Sequence, residues 1–419
     1  MSDMTREHGR TVEQPTGRTL VLSQLLRRTV VDAAGQGLGR LSDVIVGLAG
    51  DGYPVVTGLV ADIGGRRLFV PASQILAWDT ARLEMATARL DLRGFVRRSG
   101  EVLLREDLLG HRMVDLDQPR LVIAHDVRLT HAEQGWVVSA VDVQRRGLLR
   151  RRSVPLWRDW SDIEPMIGHR GSNIPQSPLG RLRRLKAADL ADLIEDASDR
   201  EQADLLVRVH SHPDLEADVF EELEEGRASG LMESRSDQDI AELLARMCAD
   251  DAADALLELP QQRRRAVLDR MPAVARDTIV VLLGYQEATA GGLMTMDYLS
   301  VPVGLSVSGA ICAVRAATAA EPQALVTVYC HDDDQRIVGA VTVVALLQSD
   351  AAAALATVAD AAPVHVHPDA DLTEITVAMA DYNLLTLPVL DGDDRILGIV
   401  TVDDVLAASM PPEWRQMQR

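Results

Sequence analysis

Two short runs of aspartate carry the residue types in this chain best suited to binding chemistry. Asp250, Asp251 and Asp254 stand at the start of a helix-patterned stretch, and Asp250 and Asp254 fall one turn apart on the same face. Asp403 and Asp404 stand where a strand-like run passes into another helical stretch. Carboxylates are hard oxygen donors, and a small divalent cation is usually held by one or two of them plus waters it retains. Acids at a helix start also occur without any ligand, because they complement the free N–H groups and the positive end of the helix dipole. That ordinary placement accounts for Asp250, Asp251 and Asp404 equally well. Other chemistries find no support. There is no G-x-S-x-G, no P-loop and no Cys/His nucleophile pair. His365 and His367 share a strand face, but no Cys, His or Glu at metal spacing accompanies them. His210 and His212 flank a turn before Pro213 and read as solvated. Gly35-Gln-Gly-Leu-Gly39 has Arg40 where a dinucleotide loop needs its third glycine, and a strand pattern follows it, so a hairpin turn is expected.

The elements that must position these residues change character along the chain. From Leu20 to about Pro165 the pattern is short, alternating and turn-punctuated, as in Leu41-Ser-Asp-Val-Ile-Val and Val55-Val-Thr-Gly-Leu-Val. The same grammar returns at Arg120-Leu-Val-Ile and Gly135-Trp-Val-Val. Similar lead-ins precede both passes, Leu25-Leu-Arg-Arg-Thr-Val-Val-Asp and Leu108-Leu-Gly-His-Arg-Met-Val-Asp, which predicts a duplicated small β-barrel. After a linker over 166–180, rich in Pro, Gly and Ser, apolar residues recur at helical spacing: Leu190/Leu193/Ile194, Ile240/Leu243/Leu244/Met247 and Val267/Leu268/Met271. From about Met294 strands and helices alternate twice. Arg145–Arg152 is a basic run that reads as an exposed strand end, with an anionic partner as the other reading.

Composition narrows the function classes. The 419 residues carry 43 Lys+Arg against 63 Asp+Glu, a net charge of −20. Residues 1–176 are near neutral (+3), whereas 177–300 carry −12 and 301–419 carry −11. An acid excess argues against general nucleic-acid binding, which needs a basic surface to displace counterions. It favours metal cations or basic partners, with plain solubility as the simpler account. Cys248, Cys312 and Cys330 form neither metal-ligand spacing nor a disulfide framework and read as reduced, cytoplasmic thiols. The longest apolar runs are far shorter than the ~20 residues a membrane helix needs, so the chain is expected not to span a membrane, and residues 1–18 show no signal-peptide pattern.

Met247-Cys-Ala-Asp-Asp-Ala-Ala-Asp-Ala-Leu-Leu-Glu-Leu-Pro260 and Tyr285-Gln-Glu-Ala-Thr-Ala-Gly-Gly-Leu-Met-Thr295 resemble the signature of the MgtE family. That resemblance implies a cytosolic helical superhelix serving as the magnesium-sensing arm of a transporter. Val364-His-Val-His-Pro-Asp-Ala-Asp-Leu and Leu387-Pro-Val-Leu-Asp-Gly-Asp-Asp-Arg-Ile-Leu-Gly-Ile-Val-Thr-Val-Asp-Asp-Val405 resemble a CBS module. A degenerate partner stands at Asp332-Asp-Asp-Gln-Arg-Ile-Val-Gly-Ala-Val-Thr-Val343. Gly39-Arg-Leu-Ser-Asp-Val and Leu68-Phe-Val-Pro resemble PRC-barrel domains. The expected organisation is multidomain α+β: a disordered N-terminus (1–18), PRC-barrel-like repeats at 19–95 and 96–165, the linker 166–180, a helical superhelix at 181–290, CBS modules at 291–350 and 351–410, and a tail at 411–419.

The resemblance makes Asp250, Asp251, Asp254, Asp403 and Asp404 candidate Mg²⁺ ligands, facing each other across an interdomain cleft that the ion closes against charge repulsion. It also implies that Thr401 and Asp404 match the Thr-x-x-Asp pattern by which CBS modules hold the ribose of ATP or another adenine nucleotide. Asp404 cannot readily serve ribose and metal at once. The equivalent Thr342-Val-Val-Ala345 lacks the carboxylate, so a single nucleotide site is expected. The chain is expected to stop before any connecting helix or membrane domain, which separates a sensor from a transporter. The first reading is therefore a cytoplasmic, non-enzymatic Mg²⁺-responsive regulator, homodimeric through its CBS modules. The alternative is a scaffold whose barrel repeat docks a ribosomal or membrane-associated protein while the acidic half dimerises.

Overall fold

The computed structural model describes residues 15–47, 52–79, 81–87, 91–98, 100–144, 154–166, 179–224, 226–286, 288–318 and 322–410. Most of the expected disordered N-terminus and linker, the basic run Arg145–Arg152 and the 411–419 tail therefore lie outside the described residues. The chain divides into two compact units, Met1–Leu223 and Glu224–Arg419. The division falls inside the stretch expected as one helical superhelix.

The first unit begins with β1 (Thr19–Val21), the short helix α1 (Leu22–Leu25), β2 (Thr29–Val31), β3 (Gly37–Gly47), β4 (Val55–Ile63), β5 (Arg66–Pro71), β6 (Ile75–Trp78) and β7 (Arg82–Met85). Gly64 and Gly65, both at positive φ, make the two-residue turn that pairs Ile63 with Arg66 across the β4–β5 hairpin. The second pass runs through β8 (Glu101–Leu103), a π-helical turn (Leu104–Leu108), β9 (Arg112–Asp115), β10 (Arg120–Ile123), β11 (Asp126–Ala132), β12 (Gly135–Asp142), β13 (Trp157–Asp159) and β14 (Ile163–Pro165).

The strands of the first repeat and β8, β11, β12 and β13 of the second share one 11-stranded sheet, ordered β1-β11-β12-β4-β3-β2-β7-β6, with β13 on β12, β5 on β4 and β8 on β3, while β10, β9 and β14 of the second repeat form a separate three-stranded sheet in that order. The lead-in strands are exchanged: β1 of the first pass pairs with β11 of the second, and β8 of the second with β3 of the first. Strand β12 is buried from Trp136 to Asp142, as a run that is apolar apart from Ser139 and Asp142 requires of a strand covered on both faces. Trp78 and Trp136 stack with ring centroids 5.5 Å apart in this core. Gly35-Gln-Gly-Leu-Gly39 lies at the β2–β3 turn, where the Asp32 carboxylate accepts the Ala34 and Gln36 N–H groups.

Helices α2 (Ala187–Asp196), α3 (Asp199–His210) and α4 (Pro213–Glu221) complete the first unit. Ser198 and Glu201 form a capping box at the start of α3, and Pro213 opens α4, where a missing N–H costs nothing. These helices are tied to the sheet region by charge. Arg208 Nη1 lies 2.9 Å from the Glu164 carboxylate with both side chains buried, and Arg112 meets Glu201 at 2.9 Å. His210 is exposed, as expected, with its ring 2.9 Å from the Glu216 carboxylate.

The second unit opens with α5 (Arg227–Glu233), α6 (Asp237–Leu244), α7 (Ala249–Glu258), α8 (Gln261–Leu268) and α9 (Ala273–Leu282). Their short breaks are written in the sequence: Ser236 caps α6 by accepting the Asp239 N–H, while Pro260 and Pro272 precede α8 and α9. The apolar positions at helical spacing, such as Ile240, Leu243 and Leu244, are the buried ones. Beyond α9 come α10 (Ala290–Leu293), β15 (Leu299–Pro302), α11 (Val307–Ala316), β16 (Thr327–His331), β17 (Ile337–Thr342), α12 (Val343–Gln348), α13 (Leu372–Tyr382), β18 (Thr386–Leu390), β19 (Ile396–Thr401) and α14 (Val402–Ser409).

Candidate functional site

The last part of the second unit is the same motif used twice. Each copy has a helix, an antiparallel hairpin and a second helix: α11, β16–β17 and α12 in the first, α13, β18–β19 and α14 in the second. The hairpin turns match in detail. The Asp332 carboxylate accepts the Asp334 and Arg336 N–H groups, and the Asp391 carboxylate accepts those of Asp393 and Arg395. Each turn places one residue, Gln335 or Asp394, in the left-handed region. The two turns also touch, since the Ile337 N–H donates to the Asp394 carbonyl at 2.9 Å.

The segment leading into each copy packs on the hairpin of the other. Thr295 exchanges two hydrogen bonds with Ile399 of β19, and Asp360 exchanges two with Ala340 of β17. Glycine makes both crossings possible. A Cβ at Gly398 would lie 2.7 Å from the Thr295 carbonyl oxygen, and one at Gly339 would lie 3.1 Å from that of Asp360. The Thr289-Ala-Gly-Gly-Leu-Met-Thr295 run fastens the preceding chain to the same place. The Ala290 and Gly291 N–H groups donate to the carbonyls of Ala370 and Pro368 at 2.9 and 2.8 Å.

A cavity of about 780 Å³ opens between the two copies. It is walled by the β17–α12 junction around Thr342, by β16, by the Asp360–Val364 segment and by the Asn383–Thr386 corner. At its base the buried Tyr329 hydroxyl lies 3.0 Å from Thr386 Oγ1, and burial pushes the Tyr329 pKa up, so the phenol stays neutral. Nearby, burial pushes the Cys330 thiol up to about 11, which leaves it protonated and unreactive.

The expected site residues fall elsewhere. Thr401 and Asp404 are not among the residues lining this cavity. Thr401 caps α14, its hydroxyl accepting the Asp404 N–H and donating to the Asp404 carboxylate. Asp403 is exposed and Asp404 half-buried in the first turn of that helix. Asp250 and Asp251 are half-buried in the first turn of α7, with Asp254 exposed one turn on. So each acidic cluster comes together on its own helix. Helix α7 packs mainly on α5, α6, α8 and α9, and α14 mainly on α13 and β19. Thr342, passed over in the sequence because no carboxylate follows it at position 345, is the copy's equivalent that does line a cavity.

The second unit is thus an array of helices leading into a paired β-α module. Residues 185–288 match the MgtE intracellular N domain and residues 356–411 match the CBS domain, so this part of the chain is homologous to the cytosolic region of MgtE. The magnesium transporter MgtE of Thermus thermophilus is 35% identical over 163 residues, which are 38% of this chain and 35% of that protein. The MgtE of Enterococcus faecalis is 31% identical over 125 residues, 30% and 27% of the two chains. The chain thus spans about a third of the length of these relatives. Among solved structures, the soluble part of a magnesium transporter is 25% identical with a TM-score of 0.51, covering 54% of this chain and 89% of that one. The cytosolic domain of the Mg²⁺ channel MgtE in complex with ATP is 28% identical with a TM-score of 0.51, covering 54% and 92%. No helix among the described residues is long and apolar enough to cross a membrane.

Proposed function

We propose that this chain is a cytoplasmic Mg²⁺-responsive regulator, acting through ion-dependent closure of the α5–α9 helices on the paired modules. The observation that carries this reading is the alignment of 54% of the chain with 92% of the cytosolic domain of a Mg²⁺ channel. The donor chemistry fits the ion: Asp250, Asp251 and Asp254 on one helix and Asp403 and Asp404 on another offer hard oxygens, and Mg²⁺ needs only one or two carboxylates with its waters. The ion would supply charge neutralisation between segments carrying −12 and −11. An adenine nucleotide would modulate closure through Thr401 and Asp404, and the paired modules would hold two copies of the chain together. Small-angle scattering of the full chain tests closure: millimolar Mg²⁺ compacts it, and monovalent salt at matched ionic strength does not. Equal responses to the two salts would sink the reading.

A second reading has its own observation. The matched regions begin at residue 185, which leaves the 11-stranded sheet unmatched by either family model. We propose that this sheet is PRC-barrel-like and docks a protein partner, with Leu76, Leu92 and Val96 as exposed apolar residues available for it. A pull-down with the full chain, competed by residues 1–180, discriminates: a partner released by the fragment favours a scaffold.

A further inference from the structure

Helix α9 carries apolar residues on the side that faces away from the protein, where a surface helix ordinarily turns polar ones. Ile279 and Leu282 are buried on its inner face, which packs on α7, while Val274 is 83% exposed and Val280 and Val281 are exposed too. Pro272 and Ala273, at the turn leading in from α8, are also exposed. A valine left that open is touched by little of its own chain, so this surface projects as a tip and forms no groove.

Positive charge gathers along the same segment. Residues 261–284 hold five arginines and two aspartates, a net +3, inside the stretch 177–300 that carries −12. Three of these arginines are matched to carboxylates: Arg263 to Asp237 at 2.8 Å, Arg265 to Asp269 at 4.0 Å and Arg276 to Asp277 at 2.8 Å. Among the described residues, Arg264 and Arg270 meet only backbone carbonyls, those of Leu257 and Leu259 for the first and of Ala266 for the second. Those bonds leave both positive charges uncompensated. Exposed apolar side chains beside free guanidinium groups supply the two contributions that hold a helix in an anionic headgroup layer, apolar burial and attraction to lipid charge. An acidic protein could answer the arginines, but it would need a hollow shaped to the tip, whereas a lipid layer receives a projecting surface without one. We propose that the α8–α9 tip docks on an anionic lipid surface, with Val274 among the headgroups and Arg264 and Arg270 on lipid phosphates. The chain as a whole carries −20, so such a surface repels most of it and attachment depends on this tip. The proposal goes beyond the magnesium reading and needs neither the ion nor closure.

Co-sedimentation of the full chain with vesicles tests it, in the presence of a chelator so that no divalent ion bridges protein and lipid. Vesicles of mixed phosphatidylglycerol and phosphatidylcholine should bind the chain at least about fivefold more tightly than phosphatidylcholine alone. Arg270→Ala should weaken that binding about fivefold, and Arg270→Lys, which keeps the charge, should restore most of it. Val274→Ser should weaken it by a similar factor, about fivefold, through lost apolar burial. Both positions are exposed, so neither change should move the melting point. Absence of vesicle binding or equal binding to the two lipid mixtures overturns the proposal. So does binding that survives both Arg270→Ala and Val274→Ser, as it would if the basic run Arg145–Arg152 were responsible. Retention on immobilised polyglutamate that depends on Arg270, with vesicles ignored, would assign the tip to an acidic protein and overturn it as well.

Discussion

The carboxylate of Asp43 accepts the backbone N–H of Glu106 at 3.1 Å, and that of Asp126, at the matching place in the second repeat, accepts the N–H of Ser23 at 3.1 Å. Each aspartate thus holds the lead-in of the other repeat, in step with the exchanged strands β1 and β8. A repeat cut from its neighbour would lose a lead-in strand and leave a buried carboxylate facing no donor from it.

Fragments 1–98 and 99–180 should therefore fail to fold singly and recover structure when mixed. Trp78 lies on the first fragment and its stacking partner Trp136 on the second, so near-ultraviolet circular dichroism reports reassembly. A native aromatic signal from either fragment alone would refute the dependence.

Asp43 also makes stability depend on pH. Its side chain is 2% exposed, and burial raises its pKa from 3.8 to about 6 despite the N–H bonds from Arg105, Val44 and Glu106 that favour the anion. A carboxyl group whose pKa is raised on folding contributes stability that is complete below 3.8 and is lost as pH rises through 6. The shift corresponds to about 3 kcal/mol. The unfolding free energy of the native chain relative to Asp43→Asn should fall by up to that amount between about pH 4 and pH 7. A difference that stays flat with pH would show that Asp43 is ionised throughout.

Arg208 and Glu164 form a buried pair whose members depend on each other. Burial pushes the Glu164 pKa up, against the pull of Arg208 and Arg181. Removing one charge leaves the other in a poorly solvated place, so Arg208→Ala should destabilise the first unit by about 3–5 kcal/mol. Arg208→Met combined with Glu164→Gln should cost clearly less than the sum of the single changes. Urea unfolding of the four chains closes the cycle, and additive costs would rule out the coupling.

The repeats, the helical period and the paired modules were all legible in the sequence because each is a local pattern of spacing. The exchange of lead-ins in both duplications was not, since the pairing of Thr19 with Thr130 or of Thr295 with Ile399 leaves no trace in periodicity. Thr401 and Asp404 stand out in the sequence because a hydroxyl and a carboxylate at that spacing carry their chemistry locally. The cavity at Thr342 is defined by apolar walls drawn from separated segments, and apolar residues give no chemical signal until folding assembles them. The Thr-Ala-Gly-Gly motif was visible as a motif, but its work is structural: it fastens the chain to the second module through Ala290 and Gly291.

Gly291 tests that assignment directly. A Cβ there would lie 2.5 Å from a ring carbon of Tyr285 and 3.1 Å from the Pro368 carbonyl oxygen. The carbonyl is held by the Gly291 N–H bond at 2.8 Å, so it cannot give way without loosening the attachment. Gly291→Ala should destabilise the second unit by about 1–3 kcal/mol, as overpacking generally does. Gly304→Ala is the matched control, because a Cβ at Gly304 meets nothing within 4 Å. Thermal unfolding separates the outcomes: a melting point lowered by Gly291→Ala and held by Gly304→Ala supports a close-packed fastening, while equal effects would reduce the motif to a flexible connector.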